Sequence, residues 1–206
     1  MMEKAYRQYL NSFSVVCPQV REEELDLIRE NLSIRHLEKR DFYLKCGQVQ
    51  REMGFVYQGL LKSYYVDDQG KKVTISFIDK GTYAADYPSF IQQKPSKYYI
   101  EALEPSIVVN LPYLSIQKAY EKYKSFETYG RLIAEQILLK KQDRIESFLF
   151  EKAEDRYIRF VANNPSILSR ISISDLSSYL GIERQSLTRI RKKLAQRKFG
   201  TNVSGD

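Results

Sequence analysis

Residues 173–198 read ISDLSSYLGIERQSLTRIRKKLAQRK: a short helical pattern, a glycine, then a longer and strongly basic helical pattern. From Arg184 to Lys198 the chain carries seven positive side chains, Arg184, Arg189, Arg191, Lys192, Lys193, Arg197 and Lys198, and no negative one. At about 100° per residue, Leu187, Ile190 and Leu194 fall on one narrow stripe, with Gln185, Thr188, Arg189 and Lys192 roughly opposite. The second helix is therefore expected to seat on a core through its aliphatic stripe and to hold a guanidinium, an amide and a hydroxyl outward. Upstream, Ile173, Leu176, Tyr179 and Leu180 make the buried stripe of a first helix, with Ser174 as its expected N-cap. Gly181 supplies the turn, since it accepts positive φ without a Cβ clash. Two helices so joined read as a helix-turn-helix, a device that places side chains in the DNA major groove. Arg189 suits guanine O6 and N7, and Gln185 suits adenine N6 and N7. Ser186, Thr188, Lys192 and Lys193 suit phosphate oxygens. The absence of acidic partners within the run argues against a merely solvated charged face.

Ahead of this segment the texture changes twice. Lys4–Phe13 and Arg21–Leu32 are helical patterns, the second with Leu25, Ile28 and Leu32 on one face. Residues 33–44, 53–66, 72–78 and 98–111 are rich in Val, Ile, Tyr and Phe, and alternate most clearly at Val73-Thr74-Ile75-Ser76-Phe77. Asp, Gly and Pro punctuate them, and Asp68-Gln69-Gly70 is a hairpin candidate. Many short strands with turn signals predict a sandwich or jelly roll. From Tyr113 to Phe150 the pattern is helical, with Gly130 its one weak point. The portion from Ser125 carries Phe126, Tyr129, Ile133 and Ile137, and then Ile145 and Phe148, on an approximate stripe that Lys140, Lys141 and Arg144 interrupt. A helix of about 25 residues spans roughly 38 Å, long for a small core, so pairing with a second copy is expected along Phe126, Tyr129, Ile133 and Ile137; the alternative is a helix packed wholly on its own sheet domain. A further helix runs to the break at Asn163-Asn164-Pro165. After Phe199 comes a short polar tail, expected to fray, on which a wing would have to be very short. The expected division is 1–124, 125–150 and 151–206.

Charge follows this division. Residues 151–206 hold 11 basic and 6 acidic side chains, against 22 and 20 in the rest, so most of the net +7 sits in the last quarter. That is the distribution expected of a segment that meets a polyanion. Cys17 and Cys46 fit neither a disulfide framework nor a zinc spacing, and read as two buried thiols in a reducing cytosol. No signal peptide and no apolar run of membrane-spanning length appear, so a cytoplasmic protein without a membrane partner is expected.

The order of these parts resembles the Crp/Fnr superfamily of bacterial transcription regulators over nearly the whole chain. Residues 55–65 (FVYQGLLKSYY), then Gly70-Lys71-Lys72-Val73, Phe77 and Gly81, are similar to that family's β-roll. Ala153-Glu154-Asp155-Arg156 resembles the entry to its DNA-binding domain, and residues 181–190 (GIERQSLTRI) resemble its recognition helix. The resemblance implies an α+β fold: an N-terminal double-stranded β-helix or jelly roll like cyclic-nucleotide-binding domains, a long dimerisation helix, and a C-terminal winged-helix-like helix-turn-helix. It also implies a homodimer reading a DNA pseudo-palindrome, with RNA polymerase as a further partner. Its base-reading places fall on Arg184, Gln185 and Arg189, and its phosphate-approaching places on Ser172 and Ser174. The family often has Glu where Gln185 stands, so preference at that base should differ. Glu183 stands where a small hydroxyl residue is common, and is expected to stabilise the helix N-terminus instead.

The effector site departs from the family pattern. Members that bind cyclic nucleotides hold the phosphate with a Gly-Glu pair and an Arg-Ser pair. Here those places read Gly81-Thr82 and Ser96-Lys97, without the bidentate guanidinium. Cyclic AMP is therefore disfavoured, and the effector, if there is one, is an unidentified small molecule. Two cysteines cannot hold a four-thiolate iron–sulfur cluster, and the single histidine, His36, reads as structural rather than as a haem ligand. No metal site and no catalytic motif are present, so no enzyme is expected. Two other readings fit the same residues: a small-molecule-binding β-roll that acts through a protein partner, and a nonspecific nucleic-acid binder.

Overall fold

The computed structural model describes residues 2–200, with side chains through Arg197. Two helices, α1 (Met2–Val16) and α2 (Glu22–Arg29), precede eight strands. These are β1 (Ser33–Leu37), β2 (Phe42–Leu44), β3 (Glu52–Gln58), β4 (Leu60–Val66), β5 (Lys72–Asp79), β6 (Tyr83–Ala84), β7 (Tyr99–Ala102) and β8 (Ser106–Pro112), with α3 (Tyr87–Gln92) between β6 and β7. Six helices follow: α4 (Tyr113–Lys122), α5 (Lys124–Phe150), α6 (Ala153–Asn163), α7 (Pro165–Leu168), α8 (Ile173–Leu180) and α9 (Arg184–Gly200).

The strands form two open four-stranded sheets, ordered β1-β8-β3-β6 and β2-β7-β4-β5, with antiparallel pairing throughout. This is the expected jelly roll. The alternation of β3 and β8 sorts the two faces of the first sheet: Val56 and Val108 point into the roll beside Leu61, Ile78 and Ile100, whereas Phe55, Val109 and Leu111 point out beneath the helices. Gly54 is required by the roll interior, because a Cβ there would lie 2.5 Å from the Tyr43 hydroxyl. The β4–β5 hairpin turns where expected. Asp67 Oδ1 accepts from the Gln69 and Lys71 amides, and Gly70 takes φ 77°.

Three expectations are corrected. The helical stretch from Tyr113 breaks at Tyr123 (φ −135°, ψ 123°), not at Gly130. The break lets Ala119 of α4 and Phe126 of α5 face one core, and Gly130 lies inside an unbroken α5 because the Tyr120 ring of α4 packs where its side chain would be. The stripe expected to pair two subunits is covered within the chain itself. Phe126, Tyr129 and Ile133 are buried and Ile137 partly so, since Phe13 of α1 stacks on Tyr129 at 4.1 Å and sits 5.6 Å from Phe126. Cys17 is buried as expected, but Cys46 stands exposed in a surface turn. Among the described residues no strand lies beyond Pro112. Residues 201–206, where a wing would have to form, and the Lys198 side chain lie outside the described residues.

Candidate nucleic-acid interface

The last two helices are set by a cap, a turn and a stripe. Ser172, not Ser174, is the N-cap of α8: it is extended (φ −75°, ψ 153°) and its hydroxyl accepts from the Asp175 amide at 3.0 Å. Two residues earlier than the aliphatic pattern suggested, it also donates to the Asp175 carboxylate at 2.7 Å. Gly181 ends α8 in the left-handed region (φ 64°), its amide bonding back to Ser177 and Ser178. Leu187 of α9 is fully buried with Leu176 and Leu180 of α8 and Tyr157 and Phe160 of α6, flanked by Ile190 and Leu194. The guanidinium of Arg156 steadies this unit by donating to the carbonyls of Leu180 and Glu151 at 3.1 and 2.7 Å.

With that stripe inward, Arg184, Gln185, Thr188, Arg189, Arg191 and Lys192 stand exposed on α9, and Ser186 is half-buried. No side-chain hydrogen bond or ion pair engages Arg184, Gln185, Arg189 or Lys192 among the described residues. Thr188 donates to the Arg184 carbonyl at 3.0 Å. Lys193 is placed differently: with Arg197 it clamps Glu154 of α6, at 2.6 and 3.0 Å. These bonds hold the Glu154 carboxyl below the usual carboxylate range, the Lys193 bond being the largest cause. Glu183, just before α9, lies 4.0 Å from Lys71. Ser174 is exposed.

Sequence reading missed how this unit rests on the roll. β5 is a sheet edge, and α8 covers it: the Ser178 hydroxyl accepts from the Thr74 amide at 2.9 Å and donates to the Lys72 carbonyl at 3.3 Å. Lys62 of β4 reaches Asp175 at 2.7 Å, and Phe77 packs against Tyr179 and Phe160. Arg170 makes a fork onto Glu104 (2.6 and 3.1 Å) and a third bond to Asp79 (2.9 Å). The Glu104 bonds above all push its guanidinium further towards the charged form.

The expected effector residues differ in their settings. Gly81 and Thr82 occupy the β5–β6 turn, bonded to Val56 and Asp79. Ser96 is buried, donating to the Asp86 carboxylate at 2.8 Å and accepting from the Tyr98 amide at 3.0 Å, while Lys97 is exposed. Asp86, at the start of α3, was missed because the sequence does not reveal what a lone Asp faces. Among the described residues no group of three or more His, Cys, Asp or Glu side chains could hold a metal, and no helix is long and apolar enough to cross a membrane. His36 is exposed on β1.

Comparison with known proteins agrees with this geometry. Residues 34–123 match the family described as the cyclic nucleotide-binding domain. Over most of its length the chain shares its fold with solved bacterial regulators. FixK2 from Bradyrhizobium japonicum superposes with a TM-score of 0.71 at 16% identity, over 81% of this chain and 86% of that one. A putative transcriptional regulator of the Crp/Fnr family from Eubacterium rectale gives 0.69 at 17%, over 87% and 86%. The c-di-GMP-responsive global regulator CLP of Xanthomonas campestris gives 0.68 at 15%, over 86% and 93%. No curated protein sequence matches the chain.

Proposed function

We propose that this protein is a homodimeric, sequence-specific DNA-binding transcription regulator of the Crp/Fnr type, acting in the cytoplasm and controlled from its β-roll. One observation carries the reading: Gln185 and Arg189 stand exposed and without ion pairs on a basic helix whose opposite stripe is buried through Leu187. Such a helix offers donors and acceptors of the kind that read base edges, with Arg184 at the end that enters the groove first. Ser174, Ser186, Thr188 and Lys192 flank it towards the phosphates. Ser172 and Lys193 would reach phosphate only by exchanging their bonds to Asp175 and Glu154, and the exposed Lys193 pair costs little to exchange. Proteins that share the fold are described as transcriptional regulators, which supports this assignment over a partner-docking or nonspecific role. In the same reading, 1–124 is the sensor, 125–150 the pairing helix and 151–206 the DNA-binding part, with RNA polymerase as the downstream partner. The second subunit would meet the exposed Leu138, Ile145 and Leu149, the first two one heptad apart, rather than the stripe buried in this chain.

Cyclic AMP is not the effector in this reading. The Ser96 hydroxyl is engaged by a buried carboxylate, Asp86, and a phosphate placed there would meet like charge. Selection from random duplexes tests the proposal. It should recover a pseudo-palindrome with half-sites about 34 Å apart. Recovery of no motif would contradict it. Sedimentation at micromolar concentration that finds only a 24.2 kDa species would contradict the dimer.

A further inference from the structure

On the outer face of the first sheet, away from the roll interior, α1, α3, α4 and α5 enclose a cavity of about 250 Å³. Six tyrosines line it, Tyr9, Tyr83, Tyr87, Tyr113, Tyr120 and Tyr129, and among the described residues no charged side chain does. Apart from the Gln117 amide, the remaining walls are apolar, and the half-exposed Ile91 stands at the rim. The Tyr83 and Tyr129 hydroxyls bond to one another. The Tyr9 hydroxyl does not share such a bond. Tyr9 is 2% exposed, yet its hydroxyl has no hydrogen-bond partner among the described residues, and it is not sealed in protein either. Tyr9 lines the cavity. The Tyr120 hydroxyl, over Gly130, is likewise unbonded among the described residues. Burial pushes the Tyr120 phenol up to about 12 and raises those of Tyr9, Tyr83 and Tyr129, so all remain neutral donors.

A buried donor left unmade is costly. Two phenols in the lining of an aromatic, uncharged cavity, neither bonded among the described residues, therefore define the complementary occupant. We propose that this cavity binds an uncharged aromatic molecule of one or two rings that carries a hydrogen-bond acceptor, such as an aryl ketone, and that it excludes anions. Its size falls below the range of drug-sized sites, which fits a compact ligand. Phe126, Tyr129, Gly130 and Ile133 of α5 form part of the wall, so an occupant touches the helix that leads into the DNA-binding part. The inference rests on the regulator reading only in treating the occupant as an effector. Binding itself is measured on the free protein without DNA, so failure here and failure of that reading are separable.

The probes are 2-acetonaphthone and its anionic near-isostere 2-naphthoate, titrated calorimetrically into the intact protein. The expected result is saturable one-to-one binding of the ketone, with naphthoate at least tenfold weaker because desolvating its charge is uncompensated. Ile116→Trp, which fills the cavity, should abolish binding. Tyr9→Phe should weaken it about five- to tenfold, the loss of one hydrogen bond, and should leave the melting temperature unchanged or raise it, because that hydroxyl bonds nothing in the protein and its desolvation cost is removed. Tyr9→Phe serves as the test even if the tryptophan variant fails to fold. No saturable ketone binding, equal binding of naphthoate, or affinity unaltered in Tyr9→Phe would each overturn the proposal.

Discussion

Removing the Arg170 guanidinium should release the helix-turn-helix from the roll. Its fork on Glu104 and its bond to Asp79 join α7 and α8 to the ends of β5 and β7 across 66 and 91 residues of sequence. A fully exposed ion pair is worth about 0–1 kcal/mol, and breaking a buried one costs about 3–5 kcal/mol. The Arg170, Asp79 and Glu104 side chains are 26, 18 and 32% exposed, which places the group between those limits. Arg170→Ala should therefore cost about 2 kcal/mol, roughly thirtyfold in the docking equilibrium. Arg170→Lys keeps the charge but loses the fork and should fall in between. The assay is a spin-label distance between the exposed Cys46 and a cysteine introduced at Gln196, together with the denaturant midpoint. Arg170→Ala should broaden the distance distribution, and salt should partly reproduce the effect in the parent protein. An unchanged distribution with a midpoint shift worth less than about 0.5 kcal/mol, the usual scale of a surface substitution, would refute this account of docking.

Other consequences follow from the interface. Leu187→Ala opens a cavity beneath α9 and should destabilise by about 2–5 kcal/mol, measured by urea unfolding. Gly181→Ala forces a left-handed alanine against Phe148, whose ring lies 2.5 Å from the added Cβ, and should cost at least about 1–2 kcal/mol in the same assay. The Glu154 carboxyl sits below its ordinary range, so its clamp on α9 is present above the unfolded value and is lost as pH falls through the folded one. Carboxyl NMR titration should show it ionising below a model glutamate, and Lys193→Ala should move it back up.

Local signals carried much of this architecture. The stripe of Leu187, Ile190 and Leu194 has one reading, because a basic helix with a single aliphatic side can bury only that side. The strands were legible from β-branched runs ended by Asp and Gly, and Gly181 from its place between two helical periods. The failures share a cause. Periodicity says that Phe126, Tyr129 and Ile133 are covered, not whether α1 or a second subunit covers them. It cannot foresee that Tyr120 must lie over Gly130, nor that Lys62 finds Asp175 across 113 residues. Asp86 was invisible as a site residue because its meaning comes from Ser96, which folding brings to it.

The most direct test of the central claim is a binding-energy matrix for Arg189→Ala beside the parent protein, measured by competition over duplexes that vary at each half-site position. Direct readout predicts that the variant loses about 1–3 kcal/mol per half-site at one base pair and relaxes preference there while the others keep theirs. A uniform loss across all sequences would contradict it, and would mean that α9 meets DNA only through its charge.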